Sequence, residues 1–120
     1  MNGPKLFLVE RETATFVVIP QENVGSLVSA SAALEAQRLV EELRESKLCK
    51  VIVDFHRAEY FGTYMLEILH ALWRHVRAAH GQMALCGLSD IGREIVRAAR
   101  FDTLWPIYAT RDEAMKAVNL

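Results

Sequence analysis

Six glycines, three prolines and two cysteines in 120 residues leave little room for several whole classes of protein. So few glycines and prolines rule out a collagenous or low-complexity chain. Cys49 and Cys86 stand alone, without a CxxC pair or histidines at ligand spacing, so neither a disulfide framework nor a structural zinc site is signalled and both read as reduced thiols. A formal net charge of −1 provides no long-range field to gather nucleic acid or an anionic membrane. No apolar run approaches the roughly 20 residues needed to span a bilayer, and the start "MNGPKLFLVERE" lacks the long apolar stretch of a signal peptide. The expectation is a cytoplasmic protein with no nucleic-acid partner and no membrane insertion.

What is present is the composition of a packed domain. Hydrophobic residues make up 52% of the chain and charged residues 24%, and 120 residues suffice for one core. The chain is therefore read as a single domain, 1–120. Lys5 to Glu10 and Thr15 to Ile19 are short β-prone runs around the polar stretch "RETA", which predicts a hairpin ended by Pro20. From Ser26 to Ser46 the period becomes helical, with Val28, Ala32, Ala36, Leu39 and Leu43 on one face. The run "KVIVDF", Lys50 to Phe55, carries the continuous β-branched stretch Val51-Ile52-Val53, as in a strand buried on both faces.

A second helix is predicted from Thr63 to about His80, with Met65, Leu69, Leu72, Val76 and Ala79 in one arc and Gly81 at its C-terminal end. Gln82 to Cys86 predicts a strand, and Ser89 a cap for a helix through Ile91, Ile95 and Ala98. Leu104 to Tyr108 reads as a last strand, placed at an edge by Pro106. Thr110-Arg111-Asp112-Glu113 is a capping-box pattern opening a helix through Met115 and Val118. The order β-β-α-β-α-β-α-β-α predicts an α/β fold with a mixed sheet and right-handed crossovers.

Lys50 to Val118 resembles the STAS domain family of anti-sigma factor antagonists and sulfate-transporter tails. The resemblance rests on "VIVDF", on "AEYFGTYMLEIL" at the family's strand-loop-helix, and most of all on "GQMALCGLSDIGREIVRAARFDTLWPIYATRDEAM". It implies a mixed sheet of about five strands with about four helices, no catalysis and no cofactor. The implied partner is an anti-sigma factor or a related ATP-binding serine/threonine kinase, with signal transduction and transcription regulation as the setting. It also implies phosphorylation at the start of the helix after the central strand, which releases that partner. Carried across, Gly62 falls at the family's aspartate or serine, Thr63 at the phosphorylated serine, Tyr64 and Met65 at the following small residues, Leu66 at the leucine and Glu67 at the glycine. Gly62, Met65 and Glu67 depart from that pattern. Those departures motivate an alternative, a constitutive, non-phosphorylated subunit of a transporter or signalling scaffold complex.

The residues themselves suggest further readings. Thr63 suits a helix N-cap as well as a phosphoacceptor, and Glu67 one turn on would repel a phosphate placed there. Tyr64, with Phe61 and Met65, is a candidate exposed aromatic patch, so Phe61, Gly62, Thr63, Tyr64, Met65 and Glu67 form the candidate partner-binding set. Asp54, His56, Arg57 and Glu59 offer acid, base and cation close together, yet no nucleophile with a partner accompanies them. His70, His75 and His80 recur every five residues, which spreads them around a helix and argues against a metal site. Trp73 and Trp105 read as packing residues. A homodimer is left open by the sequence.

Overall fold

The computed structural model describes residues 6–22, 24 and 29–119. The elements are β1 (Phe7–Glu12), β2 (Thr15–Pro20), α1 (Ser29–Ser46), β3 (Lys50–Asp54), α2 (Thr63–Ala78), β4 (Gln82–Cys86), α3 (Asp90–Ala98), β5 (Ile107–Tyr108) and α4 (Arg111–Val118), with a 3₁₀ turn at Phe101–Thr103 before β5. The order is the one the sequence predicts. The expected contributions of Lys5, Ser26 and Val28 lie outside the described residues.

One five-stranded mixed sheet runs in the order β1-β2-β3-β4-β5. β1 pairs antiparallel with β2, and every later neighbour is parallel. Alternation along the strands sorts the core into two layers. Phe16 and Val18, Val51 and Val53, and Met83 and Leu85 point to the side covered by α1, α2 and α3, where Leu39, Leu43, Met65, Leu69, Leu72, Val76 and Val96 meet them. Val17, Ile19, Ile52, Ala84 and Cys86 face the other side, under Ala114, Met115 and Val118 of α4. Both faces of β2 to β4 are thus buried, the physical reason these strands read as unbroken apolar runs.

Local chemistry explains the ends of the elements. Ser89 accepts a hydrogen bond from the Gly92 N–H at 3.0 Å and starts α3, and Thr110 accepts from the Glu113 N–H at 3.2 Å and starts α4, as their spacing predicts. The end of α2 differs from expectation. His80, not Gly81, takes the left-handed conformation at φ 57, and the Gly81 N–H closes back on the Val76 carbonyl at 2.8 Å. Gly81 is needed for a close approach instead, since a Cβ there would lie 1.8 Å from the Cys49 carbonyl oxygen.

The first hairpin is also tighter than "RETA" implies. Glu12 pairs with Thr15, leaving only Thr13 and Ala14 in the turn, at φ 47 and 60. The right-handed twist of a two-residue hairpin selects positive φ at both positions even without glycine or asparagine. The last strand is shorter than predicted, because Phe101–Thr103 winds into its 3₁₀ turn and Trp105 drops into the core at 1% exposure. Trp105 stacks edge-on against Phe101 and Trp73, with ring centroids 4.9 and 6.1 Å apart. β5 does lie at the sheet edge, as Pro106 suggests.

Candidate functional site

The central strand β3 ends on Asp54, one of two buried polar residues among those described. A buried carboxylate must be matched by donors. Its Oδ1 accepts the His56 backbone N–H at 3.1 Å, and its Oδ2 lies 3.0 Å from His56 Nδ1 and 2.9 Å from Arg111 Nε. Burial by itself would raise the Asp54 pKa, but the His56 N–H, the Arg111 guanidinium and the His56 ring outweigh it and hold the carboxyl below its usual range. Arg111 reaches on from the first turn of α4 to Glu10 at 2.7 Å and Glu12 at 3.5 Å on β1. Burial opposes its charge, yet Glu10 and Asp54 more than compensate, so the guanidinium stays protonated.

This hub fixes the loop leading from β3 to α2. Gly87, at φ +70, leaves room for it, since a Cβ there would sit 2.8 Å from Asp54 Oδ1. The loop is pinned at its other end by Ser89, whose hydroxyl donates to the Glu59 carbonyl at 2.7 Å, and by the stacking of Phe61 on Phe55 at 4.7 Å. The Asp54-His56 pair therefore has a structural use. A cleft of about 610 Å³ does adjoin it, lined by Phe55, His56, Arg57, Glu59, Tyr60, Gly87 and Ser89. Within that cleft the Ser89 hydroxyl is already engaged twice, in donating to Glu59 and in capping α3. The Cys86 thiol is buried in the layer under α4, and burial together with the neighbouring Asp54 pushes its pKa up to about 12, which removes it as a nucleophile.

The loop delivers the chain to α2, and here two expectations need correction. Gly62, not Thr63, is the N-cap, and no side chain caps the helix. Thr63 is the first helical residue and is exposed, so its hydroxyl is not spent on the helix end. The exposed patch expected of Phe61, Tyr64 and Met65 does not form. Phe61 and Met65 are core residues at 1% and 0% exposure, and Tyr64 is half-buried against the same core. Met65 falls three residues before Ile68 and four before Leu69, so it must face the sheet. Its bulk, at a position where a small residue was expected, serves packing.

Thr63 and Glu67 remain exposed and line one cavity of about 590 Å³ with Leu66, His70, Arg74 and the alanines of α1. The prominent exposed aromatic near the site is Tyr60, at 57%, which the sequence pattern did not single out. Arg111 was also missed as a site organiser. The one signal for it was an aspartate closing a fully apolar strand, which demands a cation without saying which. Among the described residues, no group of His, Cys, Asp and Glu could hold a metal ion, and His70, His75 and His80 do not converge.

The family model for the STAS domain matches residues 12–114. The chain belongs to the STAS domain family. No curated protein matches it significantly in sequence. In three dimensions this STAS domain is similar to an anti-sigma-factor antagonist (STAS) domain protein from Planctomyces limnophilus, at 23% identity over 95% of this chain and 98% of that one, TM-score 0.81. It is similar to the anti-sigma factor antagonist SpoIIAA in its unphosphorylated form, at 20% identity over 94% and 96%, TM-score 0.74. The Bacillus cell fate determinant SpoIIAA in its phosphorylated form matches at 18% identity over 93% and 98%, TM-score 0.67. These TM-scores establish the shared fold, a five-stranded mixed sheet with four helices.

Proposed function

We propose that this STAS domain is a protein-binding module of the anti-sigma factor antagonist kind, not a catalyst, and that it docks an anti-sigma factor or related ATP-binding kinase through the exposed start of α2. The observation that carries this reading is Thr63, exposed at the first position of a 16-residue helix whose N-cap, Gly62, has no side chain to occupy the helix end. The free N–H groups and dipole of such an end stabilise a phosphate, so Thr63 can be phosphorylated without unfolding the helix. The added charge would then spoil the docked surface. The contact residues are Gly62, Thr63, Glu67 and the outer edge of Tyr64. Phe61 and Met65 act from beneath, by holding the loop and the helix in place.

One observation favours the second reading, a constitutive subunit of a transporter or signalling scaffold. Glu67 lines the same cavity one turn from Thr63 and would repel a phosphate there. The two readings separate in one experiment. The protein is incubated with its cognate kinase and ATP, its mass is measured, and partner affinity is determined by calorimetry for the wild type, Thr63→Ala and Thr63→Glu. A phosphorylatable docking face gives a phosphate on the wild type and none on Thr63→Ala. It also gives at least about a tenfold loss of affinity, or ~1.4 kcal/mol, for Thr63→Glu. No phosphate with the same loss of affinity leaves the constitutive reading. Unchanged affinity for Thr63→Glu and for Glu67→Lys means the start of α2 is not the docking face.

A further inference from the structure

We infer that the outer edge of β1 and the adjoining flank of α1 form a self-complementary surface on which a second copy of this chain pairs antiparallel, joining two sheets into one. This does not rest on the proposed function, and it uses the opposite side of α1 from α2.

Backbone parity decides which groups of β1 face outward. The Gln21 N–H donates to the Leu6 carbonyl at 2.8 Å, so in the β1-β2 register the bonded positions of β1 are Leu6, Leu8, Glu10 and Glu12. The N–H and C=O groups of Phe7, Val9 and Arg11 therefore point out of the sheet. β1 is the edge of the five-stranded order, and among the described residues no strand pairs with that side. Three consecutive outward positions centred on Val9 suit a two-fold axis through Val9. An antiparallel copy then sets Phe7 against Arg11, Val9 against Val9 and Leu8 against Glu10, with no like charges opposed. An axis through Glu10 would oppose two glutamates.

The side chains agree with that axis. A cleft of about 400 Å³ runs along the edge between β1 and α1, lined by Phe7, Leu8, Val9, Arg11, Arg38, Leu39 and Glu42. Arg38 and Glu42, one turn apart on this flank, lie beside the same stretch of β1. Arg38 bonds Glu35 of its own helix at 3.1 Å, and a two-fold axis at the level of Val9 would bring Glu42 of the other copy toward the same guanidinium, extending that ion pair across the axis. The added strand spacing of about 4.8 Å brings the two flanks face to face. On the opposite face Leu8, exposed at 37%, becomes a diagonal neighbour of its own counterpart at roughly 7–8 Å.

The full chain is examined by sedimentation velocity from about 1 to 500 μM, with circular dichroism as the control for folding. The wild type is expected to dimerise. Val9→Pro removes the central outward N–H, and Glu42→Arg opposes two arginines; each is expected to raise the dimer dissociation constant at least about tenfold, ~1.4 kcal/mol. The charge-swapped Arg38→Glu/Glu42→Arg is expected to recover the dimer. If Val9→Pro does not fold, the Glu42→Arg and charge-swap pair carries the test alone. A wild type that stays monomeric throughout overturns the inference, as does a dimer indifferent to Glu42→Arg. A monomer that instead binds extended peptides at β1, losing them in Val9→Pro, overturns it in favour of a peptide occupant.

Discussion

Replacing Asp54 by asparagine keeps the shape of the hub and removes its charge. In the native protein the carboxylate accepts from the His56 N–H, the His56 ring and Arg111, all within 3.1 Å. A hydrogen bond to a charged group contributes about 1.5–3 kcal/mol, and breaking a buried pair costs about 3–5 kcal/mol. Two features reduce that figure: asparagine can still accept the His56 N–H, and Arg111 keeps Glu10 at 2.7 Å. The expected loss for Asp54→Asn is about 2–3 kcal/mol, which for a chain of this length lowers Tm by about 10 °C. Because the folded pKa of Asp54 is depressed, its contribution is present above the ordinary aspartate value of 3.8 and is lost as pH falls below it. Urea unfolding at neutral pH and at stepwise lower pH should therefore show wild type and Asp54→Asn converging in acid. A double-mutant cycle with Arg111→Met should return a coupling of at least about 1.5 kcal/mol. Additive losses, or a gap between the two proteins that persists unchanged below the aspartate range, would refute the reasoning.

Three further outcomes follow from the same physical arguments. Thr13 and Ala14 hold positive φ without glycine or asparagine, so Thr13→Asn/Ala14→Gly should stabilise the protein by about 1 kcal/mol or more in urea unfolding. Gly81→Ala drives a Cβ into the Cys49 carbonyl, which also accepts the Gln82 N–H at 3.0 Å, and should cost about 3 kcal/mol or lower the soluble yield outright. Titration with a thiol reagent near pH 8 should find one reactive cysteine in the native protein, the half-buried Cys49, and two once urea exposes Cys86. Prompt reaction of both thiols in the native state would contradict the burial of Cys86.

Most of the architecture was legible in the sequence because each element had a single consistent signal. "KVIVDF" is buried on both faces because α2 and α4 cover opposite sides of the sheet, and the helical arc of α2 meets one layer, whereas α3 buries Gly92 and Val96 and leaves Ile91 and Ala98 of the expected run exposed. The misreadings come where two chemistries compete for the same backbone. A glycine after a helix suggests a left-handed cap, yet His80 carries that conformation and Gly81 is there for the neighbouring strand to approach. "RETA" looked like a loop because the twist that fixes a two-residue turn leaves no mark in four polar residues. The two thiols lie at opposite ends of the paired strands β3 and β4, with Cys49 next to Lys50 and Cys86 paired with Asp54. A disulfide between them is excluded by the length of a five-residue strand, roughly 13 Å over the four steps from one end to the other.

The site was less legible, because what positions Thr63 comes from four distant segments. Asp54 and Arg111 are 57 residues apart, Glu10 and Arg111 are 101, and Ser89 meets Glu59 across 30. No local pattern encodes these pairs, and Arg111 was hidden inside a capping-box sequence whose cap is also real, since the Thr110 hydroxyl accepts from the Glu113 N–H and donates to its carboxylate. The segment Phe61 to Glu67 divides for a related reason: Phe61 stacks on Phe55 before the helix begins, helical geometry sends Met65 inward, and Thr63 and Glu67 stay outside. Departures from the family pattern therefore differ in meaning. The bulk at Met65 belongs to the core, while the missing side chain at Gly62 and the charge at Glu67 alter the exposed helix start, where a partner or a phosphate would be felt.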